Sequence, residues 1–169
     1  CLVGSEMCIR DSLQSIKRSA FSGTGISEIE IPQSVKSIGA FAFLNCKKLC
    51  NVTLPDSIFS IEEGTFKGCE QLATINLPHC LKTLGSSAFS GCKNLKTEIP
   101  AGIDSISPEA LDNCSSLTKL WIPNVRNADF GLTGCISLDS INIRSAKTIP
   151  NGLFSNLPAP VSYTHLTLP

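Results

Sequence analysis

The sequence predicts a repeat solenoid: a right-handed coil with a parallel β-sheet on one face and short strands, turns and single helical turns elsewhere. Three observations predict it. A large apolar residue recurs at Phe21, Phe43, Phe66, Phe89, Leu111, Leu132 and Phe154, at intervals of 22, 23, 23, 22, 21 and 22. Five of these are followed three residues later by Cys46, Cys69, Cys92, Cys114 and Cys135. Short alternating runs that close on Pro keep the same phase. A fixed period of this length marks stacked units, none of which can bury its apolar face alone.

Each part of the unit follows from its residues. The runs Ile29-Glu30-Ile31, Val52-Thr53-Leu54, Ile75-Asn76-Leu77 and Leu120-Trp121-Ile122 alternate with period two. They are too short to stand alone, but stacked in parallel they give a sheet with one buried face. Pro32, Pro55, Pro78, Pro100 and Pro123 stop these strands, because Pro has no N–H to give a ladder. A second apolar pair follows, three residues apart: Val35 and Ile38, Ile58 and Ile61, Leu81 and Leu84, Ile103 and Ile106. It buries another side as a short strand or turn. The Ala-Phe-x-x-Cys stretch, often with Gly before the Cys as in Phe66-Lys67-Gly68-Cys69, suits one helical or 3₁₀ turn that closes the coil. The fourth unit lacks one residue before Ile99. The sixth is short from Asn124 to Thr133 and carries Arg144 where the closing Pro belongs. Local irregularity is expected at both.

Composition narrows the function. Of 169 residues, 14 are basic and 14 acidic, so the formal charge is zero. That leaves no clustered cations for nucleic acid or an anionic membrane. No apolar stretch reaches the roughly 18 residues that a membrane span requires, so direct insertion by this segment is not expected.

The two ends read as foreign to the repeat. Residues 2–12, LVGSEMCIRDS, resemble the translation of a transposase sequencing-library adapter, and VSYTHLTLP at 161–169 resembles its reverse complement running into the partner adapter. The expected organisation is 1–12 adapter-derived, 13–160 a solenoid of about six to seven repeats of about 22 residues, and 161–169 adapter-derived. Met7, Tyr163 and His165 all fall in these ends. Residues 13–160 then have no Met and only His79, and are expected to be an internal fragment of a longer protein.

The repeat I-P-x-S-I-x-x-I-x-x-x-A-F-x-x-C-x-x-L-x-x-I-x resembles the BspA-like leucine-rich repeat. It is carried by IPQSVKSIGAFAFLNCKKLCNVTLP and LPDSIFSIEEGTFKGCEQLATINLP, and the likeness covers about 13–157. The resemblance implies a cell-surface or secreted protein, many relatives being linked to adhesion to host matrix or neighbouring cells.

No catalytic constellation is visible. His79 cannot by itself supply a nucleophile, base and orienter, and no GxSxG, HExxH or P-loop spacing occurs. Neither an enzyme nor a cofactor is expected. At repeat spacing the series Cys46, Cys69, Cys92, Cys114 and Cys135 places thiols about one strand apart. Distance alone allows a disulfide, but parallel Cβ vectors argue against it. A metal ladder lacks any CxxC, His or carboxylate companion. A buried reduced thiol suits a position that Thr24 and Leu157 share.

The candidate ligand surface is the outward side of the strand face. Period two sends Glu28, Glu30, Asn51, Thr53, Thr74, Asn76, Thr97, Glu98, Lys119, Trp121, Ser140 and Asn142 outward. Most of these residues are small and uncharged, so the ribbon is bland and polar, acidic at its start. The exception is Trp121, which beside Lys119 has the character of an interface anchor, or else packs flat on its neighbours or faces another part of the parent protein. The reading is a non-enzymatic binding or adhesion module of a larger surface protein, taking a protein or glycan on a host or neighbouring cell. The alternatives are a spacer or regulatory arm for a catalytic domain elsewhere in the parent, and a stalk without a ligand.

Overall fold

The computed structural model describes residues 12–125, 130–143, 146–149, 151, 153, 154 and 157. The adapter-like stretches lie outside the described residues, Ser12 apart, as do 126–129 of the sixth unit and Arg144. The described chain is a parallel-strand solenoid of short strands: β1 (Ser15–Ile16), β2 (Glu28–Glu30), β3 (Ser37–Ile38), β4 (Asn51–Thr53), β5 (Ser60–Ile61), β6 (Thr74–Asn76), β7 (Thr83–Leu84), β8 (Ser105–Ile106), β9 (Lys119–Trp121) and β10 (Ser140–Asn142).

Two ladders run along the stack. On the strand face β2, β4 and β6 pair in parallel with Ile29, Val52 and Ile75 in register, and β9 pairs β10 with Leu120 opposite Ile141. On the second face β1 pairs β3, and β5, β7 and β8 pair in turn. Each pairing steps by one repeat, so paired coils are bonded directly to their neighbours. Alternation works as the residues dictate: Val52, Ile75 and Leu120 are buried between exposed or half-buried partners. In the first four units the carbonyl of the closing Pro accepts the N–H three residues on, from Val35, Ile58, Leu81 and Ile103 at 3.0–3.3 Å. The residue that cannot donate thus both ends the strand and starts the turn.

The third face differs from the expected helical turn. Around Phe43, Phe66, Phe89 and Leu111 two residues four apart take left-handed backbone: Phe41 and Asn45, Gly64 and Gly68, Ser87 and Gly91, Glu109 and Asn113. Alternate N–H groups then point in different directions. Those of Ala42, Leu44 and Cys46 bond three residues back within the coil, while those of Phe41, Phe43 and Asn45 bond Glu63, Thr65 and Lys67 of the next coil at 2.7–2.9 Å. A helical turn would spend every donor locally. The left-handed positions cost about 1–2 kcal/mol each for residues other than Gly, and the inter-coil bonds they release offset this. Gly64 meets the need without that cost, and a Cβ there would also run into the Phe41 ring.

The core is one column. The rings of Phe21, Phe43, Phe66 and Phe89 stack with centres 5.1, 5.3 and 5.4 Å apart and planes within 10°. Leu111 and Leu132 continue the column and are buried.

Both ladders are interrupted once among the described residues. On the strand face, residues 95–100 form no strand between β6 and β9. Leu72 to Pro78 and Leu117 to Pro123 span six steps, whereas Leu95 to Pro100 spans five. A one-residue loss reverses the faces of a strand, and here the chain keeps Ile99 buried by giving up the ladder. The Thr97 hydroxyl takes over one backbone role, accepting the Ile75 N–H at 3.0 Å. On the second face β3 and β5 do not pair.

Candidate functional site

The strand face carries eleven of the twelve residues expected outward in exposed or half-buried positions. Glu28, Glu30 and Asn51 stand over the first strands, and Asn51 accepts the Thr74 hydroxyl at 3.1 Å. Asn76 serves the backbone of the neighbouring coil, where its side-chain amide bonds both the N–H and the carbonyl of Leu54, at 2.6 and 3.0 Å. Asn142 is the correction. It is 3% exposed, and Ile143 beside it is buried too, so β10 loses the alternation of the earlier strands. Its register partner is Trp121, whose ring presents far more covering surface at one strand spacing than the Thr53 opposite Asn76.

The missing strand leaves a recess of about 610 Å³ beside Trp121. Glu98, Ile99 and Pro100 form one wall, Lys119, Trp121, Ser140 and Asn142 the other, with Leu77 and His79 at the β6 end. Leu77 shows what the deletion does: Ile31, Leu54 and Ile122 at the same position are covered, whereas Leu77 is half-exposed into the recess. The recess therefore brings Glu98, Lys119, Trp121, Ser140 and Asn142 together. It leaves Glu28, Glu30, Asn51, Thr53, Thr74 and Asn76 on the flat ribbon, with Thr97 bonded into β6. Leu77, Ile99 and Pro100 are not among the outward positions, because the pattern assigns them inward or to a turn. The deletion before Ile99 is the signal that could have found them.

The Cys series is buried and free of disulfides. Each thiol donates to the carbonyl of the large apolar residue one coil earlier: Cys46 to Phe21, Cys69 to Phe43, Cys92 to Phe66, Cys114 to Phe89 and Cys135 to Leu111, at 3.0–3.3 Å. The same carbonyls accept the N–H of Thr24, Cys46, Cys69, Cys92 and Cys114. Cys is thus a small apolar residue that also satisfies the second lone pair of an inward carbonyl. Burial pushes the Cys69 thiol up to about 12 and Cys135 up to about 11, and raises Cys92 and Cys114 strongly; the adjacent thiols of the ladder add to the rise at Cys69, Cys92 and Cys114. Such thiols are poor nucleophiles and poor metal ligands. Among the described residues no group of three or more His, Cys, Asp or Glu is placed to hold a metal ion, and no helix is long and apolar enough to cross a membrane.

The model of the BspA type leucine-rich repeat region matches the chain in six copies, over residues 4–118 and 47–160. The chain belongs to the BspA type leucine-rich repeat family. Solved structures agree with that membership. A leucine-rich repeat protein from Bacteroides ovatus ATCC 8483 is 39% identical with a TM-score of 0.70, over 79% of this chain and 36% of that one. The T. pallidum leucine-rich repeat protein is 28% identical with a TM-score of 0.76, over 88% of this chain and 73% of that one. The pneumococcal vaccine antigen PcpA shares the fold, at 20% identity and a TM-score of 0.60, over 78% of this chain and 39% of that one. This BspA type chain thus spans about a third of the length of the Bacteroides ovatus protein. No curated protein matches it. The family and solenoid are those of generally non-catalytic modules for protein interaction.

Proposed function

We propose that this leucine-rich repeat chain is a non-enzymatic binding module of a larger surface or secreted protein, and that it grips its ligand at the recess beside Trp121. The observation that carries the reading is the indole itself. It is 55% exposed in a ribbon of mostly small, uncharged residues, and it flanks a cavity of about 610 Å³ with an anionic, a cationic and an apolar wall group in Glu98, Lys119 and Ile99. Trp is the residue most enriched where binding energy concentrates, and a cavity of that volume lies within the range of ligand sites. A protein partner fits the family, with adhesion to host or neighbouring cells as the role; a glycan stacked on the indole is the competing occupant.

Trp121 is the single Trp of the chain, so its fluorescence reports directly on this site. Arrays of extracellular-matrix proteins and of glycans, read with the full chain and with Trp121→Ala, test the reading. A ligand that shifts the Trp emission and is lost at least tenfold in Trp121→Ala, about 1.4 kcal/mol, supports it, and the array that yields it names the class. A ligand bound equally by both forms sinks the site. The working unit in this reading is residues 13–160: removing 1–12 and 161–169 is expected to leave the melting temperature unchanged, and a large fall would place those ends in the fold.

A further inference from the structure

The second ladder opens between β3 and β5, on a different face from Trp121. Residues at the start of these strands form a column through the coils: Lys36, Phe59, Lys82 and Asp104. Lys82 finds Asp104 in the next coil at 3.5 Å. Lys36 meets Phe59 in the next coil instead, and Phe59 is 62% exposed. Beside them lies a recess of about 370 Å³ that also takes in Lys17, Arg18, Ser60 and Glu62. Its charge is unbalanced. Among the described residues no carboxylate pairs with Lys17, Arg18 or Lys36. Arg18 is held 4.7 Å from the centre of the Phe41 ring, and the one acid, Glu62, accepts the Ser60 hydroxyl.

The backbone is open as well. Elsewhere on this ladder a coil donates to the one before it, from Gly39 to Ile16, Gly85 to Ile61 and Ser107 to Leu84, at 2.8–2.9 Å. Among the described residues the corresponding bond from Glu62 to Ile38 is missing. Small residues mark the positions that keep the bond. A Cβ on Gly39 would sit 2.6 Å from the Arg18 nitrogen, and one on Gly85 2.7 Å from the Glu63 nitrogen. Ser107, with a side chain of only two heavy atoms, still keeps the pair, but Glu62 occupies the position where the strands part.

We propose that this opening is a second binding site, which takes a short acidic segment of a protein partner in extended form. A carboxylate of the segment sits among Lys17, Arg18 and Lys36, an adjacent apolar side chain covers Phe59, and its main chain meets the backbone groups that the parted strands expose. A peptide is favoured over an anionic glycan because it offers backbone donors and acceptors for a strand edge together with an apolar side chain, and both are what the opening lacks. The site is independent of the Trp121 recess, so either can fail without the other.

The test is fluorescence anisotropy of the full chain with a labelled peptide of alternating glutamate and leucine, against its glutamine analogue and a sulfated oligosaccharide. The acidic peptide is expected to bind, more weakly as salt rises, and the glutamine analogue at least tenfold more weakly. Phe59→Ala and Lys36→Gln are both expected to lower affinity at least tenfold, with far-ultraviolet circular dichroism unchanged since both side chains are exposed. Glu62→Gly, which restores the small residue and closes the ladder, is expected to do the same, and Trp121→Ala to do nothing. The proposal is overturned if the acidic peptide does not bind, if the glutamine analogue binds equally, if Trp121→Ala rather than Phe59→Ala removes binding, or if the sulfated oligosaccharide binds through Lys36 and the peptide does not.

Discussion

Raising the pH should unfold this solenoid through its buried thiols. An unfolded Cys titrates near 8.5, whereas burial pushes Cys135 up to about 11 and Cys69 up to about 12 and raises Cys92 and Cys114 strongly. Above about pH 9 the unfolded chain therefore sheds protons that the folded chain retains. Fewer protons on the unfolded state mean that stability falls as pH rises. The thiol contribution is fully present below the unfolded value and is lost on the way up through the folded ones. Each thiol costs about 1.4 kcal/mol per pH unit, and four together about 5 kcal/mol per unit. A domain of ordinary stability, about 5–15 kcal/mol, is then largely unfolded by about pH 10–11. The assay is urea unfolding by circular dichroism in steps from neutral pH upward, under argon with a phosphine reductant. The decisive arm is Cys92→Ala with Cys114→Ala. That variant starts less stable, but its loss per pH unit should be about half as steep. An equal slope in both proteins, or no loss by about pH 10.5, would refute the reasoning.

Three further outcomes follow from the packing. Phe66→Ala removes a fully buried ring stacked on Phe43 and Phe89, and should cost about 3–5 kcal/mol in chemical denaturation; Trp121→Ala should cost under about 1 kcal/mol. Gly85→Ala places a Cβ 2.7 Å from the Glu63 nitrogen, a backbone atom that cannot step aside, and should cost about 1–3 kcal/mol, whereas Gly23→Ala meets nothing within 4 Å and loses only what its positive φ demands. Inserting a Val after Thr97 restores the six-step spacing from Leu95 to Pro100; it should join β6 to β9, seen as slowed amide exchange along β6 and a blue shift of Trp121 fluorescence. Unchanged exchange would show that the strand is missing for some reason other than the lost residue.

Most of the fold is legible in the sequence because the repeat is written in side-chain chemistry. Apolar residues at Val52, Ile75 and Leu120 specify one buried face, Pro55 and Pro78 specify where it ends, and the phase of Phe43, Phe66 and Phe89 specifies the stack. The third face escapes such reasoning because its geometry depends on backbone handedness. Phe41, Ser87 and Glu109 are left-handed there, although no propensity of Phe, Ser or Glu announces it; the glycines Gly23, Gly64, Gly68, Gly91 and Gly134 hint at it. The Cys series is legible as small and buried, but the carbonyl that each thiol serves lies one coil away. Of the candidate site, Trp121 and the short fourth unit are both legible, while their meeting in one recess needs three-dimensional stacking. Period two points Asn142 outward, as it does the polar residues of β4, β6 and β9; it fails for β10, where Asn142 and Ile143 are buried in succession. Phe59 carries a signal of its own, an aromatic in a column otherwise polar or charged, with Gln14, Lys36, Lys82 and Asp104.

The two openings share a logic that a perfect repeat would forbid. In a regular stack each coil satisfies the backbone of the next, so an interior coil has little left to offer except side chains on a bland ribbon. A deviation of one residue changes that. The loss before Ile99 removes a strand and half-exposes Leu77 beside Trp121; β3 and β5 part beside Phe59, where Glu62 stands in place of a small residue. Phe59 and Trp121 are the only exposed aromatics among the described residues. Each flanks a break, whereas the exposed Ile136 continues the surface column of Lys47, Glu70 and Lys93, far from either. The neighbouring regular coils hold the stack through the Phe column and the thiol-to-carbonyl bonds, so the cost of each break stays local. Recognition in such a chain is therefore to be sought where the period fails, and the regular units serve to keep those failures rigid.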